Sequence, residues 1–266
     1  MKSSCDSAAR HSRLSCGRGV AEHFVAVFRG EARALDCLLS GGVVCFFSPC
    51  YIEAMCHRYN VKVNLHQIAE PFSDVRVSME SVPEGDRYPM SSVPIIRGDP
   101  ETDGWTVELK QWGWLPAHWK PSAKYATRKK YQRERFNARS ETVDSTWGFR
   151  RAFRSQRCVL AGTGFFEPFN GGGEALYTVQ SGIFYFAGLW DHYEDGEESV
   201  DSCTMLTTAA NSLIAANRTG RMRQPVILTD VDQVRRYCDP EVTEHSQLSD
   251  LFVPLAEDRM TIHVPE

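Results

Sequence analysis

From residue 55 to the end of the chain, hydrophobic positions occur in many short runs that alternate with polar positions and are separated by Gly, Pro and Asp turns. Alternation of this kind is typical of strands with one buried face. It predicts strands at residues 106–112, 158–166, 175–180, 184–191, 203–208, 226–229 and 261–264. Apolar positions at helical spacing predict helices at residues 126–135, 148–155, 212–217, 231–237 and 244–252. The pattern indicates an α+β domain with no internal linker.

The first 54 residues have a different pattern. They contain five of the nine cysteines, and residues 21–39 place apolar side chains at the spacing of an amphipathic helix. We interpret residues 1–54 as an N-terminal extension that is not part of the mature domain. The domain then spans residues 55–266, with Met55 as the working initiator.

Composition restricts the classes of function. A net charge of −4 and an isoelectric point near 6.1 argue against a protein that coats nucleic acid indiscriminately. The sequence has no apolar run long enough for a transmembrane helix, so we expect an intracellular protein without a membrane partner. The nine cysteines form no CxxC pair, so we expect neither a metal site nor a cofactor. Because heptad repeats are absent, a monomer is the expected state.

The basic residues are concentrated in one segment. Residues 124–157 contain eleven Lys or Arg side chains and three acidic ones, and Trp112, Trp114, Trp119 and Trp147 lie in or near this segment. Cations beside aromatic side chains suit the phosphates and bases of single-stranded nucleic acid. A solvated basic helix face next to core tryptophans explains the same pattern, and the residues alone do not decide between the two interpretations.

A set of separated stretches, in one order along the chain, resembles the motifs of the SOS response-associated peptidase (SRAP) family. The stretches are residues 55–59 (MCHRY), 112–116 (WGWLP), 136–142 (FNARSET), 164–167 (GFFE), 186–190 (FAGLW), 206–211 (LTTAAN) and 225–228 (PVIL). Together they cover nearly all of residues 55–266. The fold we expect is a single α+β domain with a curved, mainly antiparallel, barrel-like β core and peripheral helices.

The resemblance implies a DNA-damage activity. In that family the initiator methionine is removed, and the exposed N-terminal cysteine, here Cys56, captures abasic sites in single-stranded DNA. The α-amine condenses with the open-chain aldehyde to an imine, and the thiol then closes a thiazolidine ring. An α-amine pKa near 7.7 to 8.0 leaves enough unprotonated amine at neutral pH. An internal cysteine has no free α-amine and cannot form this ring.

The resemblance also implies roles for other residues. Glu167 resembles the family's general acid or base, and Asn137 resembles the asparagine that hydrogen-bonds near the reacting sugar. Arg58 and Arg139 resemble phosphate-binding residues. The full set that we assign to DNA binding is Arg58, Trp112, Trp114, Arg139, Arg221 and Arg223. Local sequence alone favours a different interpretation, in which Glu167 is an exposed acid on an edge strand and Asn137 is a turn or cap residue.

One segment departs from the family pattern. Members carry a histidine shortly before an Arg-Met-Pro run, but residues 217–225 (NRTGRMRQP) contain none. The nearest substitutes are Asn217 and Arg218, and neither titrates near neutrality as imidazole does. We therefore expect a crosslinking enzyme with altered kinetics or altered reversal. Two alternatives stay open: a cysteine peptidase that removes residues 1–54 itself, and a catalytically silent single-stranded DNA binder.

Overall fold

The structure, a computed structural model, describes residues 56–82, 84–99 and 101–265. The expected helix at residues 21–39 and the expected boundary after residue 54 lie outside the described residues. The strands are β1 (Arg58–Val61), β2 (Val75–Val77), β3 (Gly85–Arg87), β4 (Ser92–Gly98), β5 (Trp105–Trp112), β6 (Asn137–Arg139), β7 (Arg157–Gly162), β8 (Gly164–Pro168), β9 (Glu174–Val179), β10 (Phe184–Glu194), β11 (Ser199–Ala209), β12 (Arg223–Pro225), β13 (Ile227–Leu228) and β14 (Met260–His263).

The helices are short and lie around this sheet structure. They are α1 (Leu65–Ala69), α2 (Arg128–Arg133), α3 (Arg150–Ser155), α4 (Ser212–Asn217) and α5 (Val231–Cys238). Single 3-10 segments occupy Ser140–Thr142, His245–Phe252 and Glu257–Arg259. Within the described ranges, none of the helices has the length and apolar composition needed to cross a bilayer.

Five strands close into a barrel. The order β5, β4, β7, β10, β11 is antiparallel throughout, and β11 returns to β5 through a parallel pairing of Ser202 with Gln111 and Cys203 with Trp112. Strands β2, β6, β12 and β13 add to the barrel strands from outside. Closure removes the free edges that an open sheet would expose. The predicted α+β fold with a barrel-like, mainly antiparallel core is confirmed.

A second sheet packs against the barrel, with the antiparallel order β14, β9, β8, β1, β3. Tyr59 of β1 is fully buried, and its ring meets the rings of Trp112 in β5 and Phe186 in β10 edge-on, at centroid distances of 5.3 and 5.2 Å. Aromatic pairs of this geometry add to the free energy of burying their area. The contact fixes β1, and hence the residues just before it, against the barrel.

The glycine of the FAGLW stretch is required by close packing between strands. A Cβ atom on Gly188 would lie 2.7 Å from the backbone oxygen of Thr204 and 2.6 Å from a methyl group of Leu160. The first contact is with backbone and cannot be relieved by a rotamer change. Gly188 therefore permits the close approach of β10 to β11 in the barrel wall.

Each predicted strand and helix has a counterpart, with two differences in form, while strands β1, β2, β3, β4, β6 and β12 and helix α1 were not predicted. The single strand expected at residues 158–166 is broken at Thr163, whose hydroxyl contacts Asn60 Oδ1 at 2.8 Å, and the chain passes there from the barrel to the second sheet. The helix expected at residues 244–252 is a 3-10 segment, His245–Phe252. Helix α4 has the predicted bounds because Asn211 caps it, accepting a hydrogen bond from the Ile214 N–H at 2.9 Å.

Candidate active site

Three residues from distant parts of the sequence meet at the start of β1. The backbone N of Cys56 donates a hydrogen bond to Glu167 Oε1 at 3.3 Å, across 111 residues of chain. The Asn137 side-chain amide donates to the Cys56 carbonyl oxygen at 3.0 Å. The structure thus brings together Cys56, Asn137 and Glu167, which are the residues predicted to be catalytic.

Strand pairing explains why these residues meet. Strand β1 lies antiparallel to β8, with Arg58 opposite Phe166, so the chain just before Arg58 runs alongside Glu167. Strand β6 runs parallel to β11 and begins at Asn137. Cys56 therefore lies where the second sheet meets strands added to the barrel.

Arg218 completes the group. Its Nη2 atom is 2.9 Å from Glu167 Oε2, and the two side chains are 1% and 0% exposed. A second guanidinium nitrogen, Nη1, donates to the Arg223 carbonyl oxygen at 2.7 Å. Asn217, the other substitute considered for the family histidine, instead donates its side-chain amide to Leu213 O at 2.8 Å within α4. Arg218, and not Asn217, is the residue that contacts the Glu167 carboxyl group.

Burial dominates the protonation of the site. It raises the pKa of Glu167 to about 8, while the positive charge of Arg218 and the hydrogen bond from Cys56 act to lower that pKa. Burial, and after it the negative charge of Glu167, raises the pKa of the Cys56 thiol well above its usual value. Burial therefore favours the protonated Glu167 carboxyl group, which can donate a proton, and disfavours a thiolate at Cys56.

Beside this group lies a network of charged side chains. Arg58 binds Asp86 through Nε at 2.9 Å and Glu174 through Nη1 at 2.9 Å, and its guanidinium lies 3.8 Å from the centroid of the Phe166 ring. His57 Nε2 is 3.0 Å from the same Glu174 carboxylate. His57 and then Arg58 hold the pKa of Glu174 below its usual value. Arg58, predicted to bind phosphate, is here bound by two carboxylates.

The structure corrects the expectation for Trp112 and Trp114. Both indoles are 0% exposed, and their Nε1 atoms donate hydrogen bonds to the carbonyl oxygens of Phe136 and Gly148, each at 2.8 Å. A fully buried indole offers no face to a base. The two residues belong to the core, in agreement with the interpretation of the basic segment as a solvated helix face next to core tryptophans. The hydrophobic alternation did not distinguish them from exposed aromatic residues.

The remaining predicted DNA-binding residues are arginines near the surface. Arg139 and Arg221 are exposed. Arg223 is largely buried and binds both carboxylate oxygens of Glu141, at 2.9 and 2.7 Å, and also donates to the Thr207 carbonyl oxygen at 2.6 Å. These contacts tie β12 to the segment that follows β6. In the described ranges, no group of three or more His, Cys, Asp or Glu side chains is arranged to hold a metal ion.

Comparison with known proteins agrees with this architecture. Three similar solved structures are a protein from Bacteroides thetaiotaomicron (23% identity, 79% of this chain and 92% of that chain, TM-score 0.65), a protein from Bordetella bronchiseptica (26% identity, 79% and 100%, TM-score 0.65) and a phage-related protein from Bordetella bronchiseptica (17% identity, 78% and 93%, TM-score 0.56). No protein of curated function matches the chain. Residues 55–264 match the family model described as SOS response associated peptidase (SRAP). This match covers most of the chain, and the protein therefore belongs to the SRAP family.

Proposed function

We propose that this protein captures abasic sites in single-stranded DNA by forming a covalent thiazolidine through the N-terminal cysteine that is exposed when the chain begins at Cys56. The observation that carries the proposal is the hydrogen bond from the Cys56 backbone nitrogen to Glu167 at 3.3 Å. The atom that becomes the nucleophilic α-amine already lies against a buried carboxyl group. Membership of the SRAP family supports the same substrate.

The proposed reaction removes one water molecule. The α-amine of Cys56 attacks the aldehyde carbon of the opened deoxyribose, forming a C–N bond and a carbinolamine. Loss of the carbinolamine hydroxyl as water leaves an imine. The thiol then adds across the C=N bond: its sulfur bonds to the carbon, its proton passes to the nitrogen, and the thiazolidine ring closes. Glu167 donates a proton to the departing hydroxyl and is reprotonated from the amine or from solvent.

Asn137 has a positioning role in this proposal. Its amide holds the Cys56 carbonyl oxygen at 3.0 Å, which restricts rotation of the residue that carries both reacting groups. A fixed amine and thiol reach the aldehyde carbon with less loss of conformational freedom than mobile ones.

Arg218 is proposed to favour persistence of the crosslink. Reopening the ring requires a proton on the leaving thiolate, and a guanidinium does not give up its proton near neutral pH. A histidine at this position would supply one. Glu167 contacts the nitrogen of Cys56, whereas the sulfur contacts the Arg58 carbonyl oxygen, so we propose that ring closure proceeds and that reversal is slow.

The contacts of the thiol give the peptidase alternative less support. A cysteine nucleophile is activated by a neighbouring base or a lowered pKa. The sulfur of Cys56 contacts the Arg58 carbonyl oxygen at 3.9 Å, and Glu167 contacts the backbone nitrogen of Cys56. Together with a raised thiol pKa, these contacts favour chemistry that begins at the nitrogen.

A denaturing gel tests the proposal. Protein started at Met55 is incubated with a single-stranded oligonucleotide that contains one abasic site, beside Cys56→Ala, Cys56→Ser and the chain started at Met1. We expect a shifted band with the Met55 start alone, because serine cannot form the thiazolidine and residues before Cys56 block its amine. A shifted band of equal strength with Cys56→Ala would overturn the proposal. A Met1-started chain that reacts only after losing residues 1–55 would identify the extension as an inhibitory segment.

A further inference from the structure

Trp147 differs from the other tryptophans in its exposure. The sequence has six tryptophans, and all of them lie in the described ranges. Trp105, Trp112, Trp114 and Trp119 are at most 7% exposed, and Trp190 is half-buried with the cations of Arg97 and Lys110 over its ring. Trp147 is 57% exposed. A single exposed apolar side chain needs no special explanation, but the side chains around Trp147 set it apart.

The Trp147 indole is held in place by its neighbours. The ring of His118 meets it edge-on, at a centroid distance of 4.1 Å and an interplanar angle of 90°. The buried carboxylate of Asp191 accepts hydrogen bonds from the Ala117 N–H at 2.9 Å and from Arg151 Nη2 at 2.7 Å. Ala117 precedes His118, and Arg151 follows Trp147 by four residues. Asp191 therefore ties together the two segments that carry the rings, and the exposed indole face is preorganised.

Cations without acidic partners lie on the same two segments. Arg150 and Arg154 are exposed, four residues apart on α3, and so project from one face of that helix. Lys120 is exposed two residues after His118. In the described part of the chain none of these three forms a salt bridge, whereas Arg151 does. In the loop of residues 143–149, which carries Trp147, the one acidic side chain is Asp144, so positive charge is in excess.

We propose that His118, Lys120, Trp147, Arg150 and Arg154, together called the Trp147 surface, bind the single-stranded DNA that flanks the reacting site. One unpaired base stacks on the indole, and phosphates lie against the cations. The link to a flanking position rests on the proposed function. Trp147 follows Asn137 by ten positions, so the indole-bearing residue lies within ~35 Å of Asn137 by the reach of an extended chain, a distance that a short strand spans.

The chemistry of the surface selects a single strand. An aromatic face contributes to binding only if a base face is open, and in a duplex the base faces are covered by their neighbours. A protein partner would need a larger apolar centre with a polar rim, whereas here one aromatic ring is surrounded by separate cations. Phosphate contacts with an adjacent stacked base match the way in which sequence-independent single-strand binding is built.

Intrinsic fluorescence tests this surface without any crosslinking. The full-length Cys56→Ala protein, which lacks the thiol proposed to react, is titrated with an oligothymidylate that has no abasic site. We expect quenching of tryptophan emission, since Trp147 is the exposed indole. We expect Trp147→Ala to abolish the quenching and to weaken binding about tenfold, equivalent to roughly 1.4 kcal/mol. Trp147→Phe, which keeps an aromatic face, retains most of the affinity when binding is followed by fluorescence anisotropy of a labelled strand.

Matched variants separate stacking from general loss of exposed surface. Val253→Ala removes an apolar side chain with the same 57% exposure on another part of the molecule, and we expect unchanged affinity. We expect Arg150→Gln and Arg154→Gln each to reduce the slope of log affinity against log salt by about 0.7, while Arg235→Gln, whose guanidinium binds Asp232, leaves it unchanged. Wild-type affinity in Trp147→Ala, or equal quenching by duplex DNA, would overturn the proposal.

The two proposals fail in different ways. If the oligothymidylate binds in a Trp147-dependent manner but the protein with Cys56 forms no crosslink, the Trp147 surface is supported and covalent capture is contradicted. If crosslinks form at the wild-type rate in Trp147→Ala and quenching is absent in Cys56→Ala, covalent capture is supported and the Trp147 surface is contradicted.

Discussion

At the scale of single residues, the site is defined by the carboxyl group of Glu167. Burial raises the pKa of this group and the positive charge of Arg218 lowers it. Removal from water favours the neutral acid, and Arg218 at 2.9 Å favours the carboxylate. Burial is the larger effect, and the pKa of Glu167 is raised to about 8. This value lies close to that of a free α-amine, so both partners in the proposed proton transfer titrate in the same pH range.

This coincidence predicts the pH dependence of crosslinking. The amine must be neutral, so the rate rises with pH until the amine is deprotonated, near 7.7 to 8.0. Glu167 must be protonated, so the rate falls as pH rises through about 8. We expect a bell-shaped profile with its maximum near the crossing of the two titrations.

Glu167→Gln separates the two limbs of the profile. We expect it to slow crosslinking about 100-fold, the usual contribution of a general acid, and to keep the rising limb while the falling limb is lost. Initial rates from pH 5.5 to 9.5 measure this. A falling limb that persists in Glu167→Gln would assign it to a group other than Glu167.

Arg218→His tests the role of the buried cation in release. An imidazole in contact with Glu167 supplies the proton that the leaving thiolate needs, so we expect release of preformed crosslink to accelerate about tenfold or more. Trapping the released protein with an excess of a second abasic oligonucleotide measures the rate. Asn217→His is the matched control, because Asn217 contacts Leu213 and not Glu167. Equal release from wild type and Arg218→His would contradict the proposal.

The sequence indicated the importance of Cys56, Asn137 and Glu167 through motif resemblance, but it could not choose between Asn217 and Arg218. The choice depends on where α4 ends and how the following chain turns. Phe169 forms an isolated antiparallel bridge with Arg218, a contact between residues 49 positions apart that no local pattern encodes. The indoles of Trp112 and Trp114 show the same limit, because exposure is decided by the barrel around them.

At the scale of elements, α4 sets the position of Arg218. The helix is one residue shorter than two full turns, and Asn211 holds its first turn. The Asn211 side chain also donates to the Leu255 carbonyl oxygen at 2.8 Å, and its backbone N–H donates to Gln224 at 2.8 Å. A short helix has little stability of its own, so these contacts determine the position of α4 and of Arg218, which follows it.

Removing this cap should affect both stability and the site. We expect Asn211→Ala to lower the free energy of unfolding by about 1 to 2 kcal/mol and to slow crosslinking, because Arg218 loses its fixed position. Asn211→Asp keeps the oxygen that caps Ile214 N–H but loses the donor to the Leu255 carbonyl oxygen, so we expect it to recover only part of the stability. Urea unfolding measures the first effect and initial crosslinking rates the second. If Asn211→Ala leaves both the free energy of unfolding and the crosslinking rate unchanged, the cap of α4 does not determine the position of Arg218.

Elements with a clear hydrophobic pattern or a capping side chain were predicted well. Elements that depend on pairing or contacts with distant parts of the chain were not. Helix α4 was predicted to the residue because apolar spacing and the Asn211 cap agree. Strand β4 was missed because Pro94 lies near its centre and proline lowers the strand signal, although the pairing with β5 and β7 shows a barrel strand. Thr163, which divides β7 from β8, lies inside one apolar run and its role depends on Asn60.

At the scale of the whole molecule, the closed barrel is the frame and the second sheet carries the reacting residues. Cys56 precedes β1 and Glu167 lies in β8, both in the second sheet, while Asn137 begins β6 beside the barrel strand β11. The site therefore forms only when the two sheets are packed together. This arrangement explains why residues 81 and 111 positions from Cys56 can contact it, and why short motifs spread along the chain identify a single site.

Mass analysis of the N-terminal peptide after crosslinking shows whether Cys56 is the residue that captures the DNA. Protein started at Met55 is reacted with an abasic oligonucleotide, denatured, and digested with protease and nuclease. We expect the peptide to begin at Cys56 and to carry the sugar remnant less one water, with no free thiol or amine at that residue. An unmodified N-terminal peptide, or one that keeps Met55 while the DNA is attached elsewhere, would contradict the account.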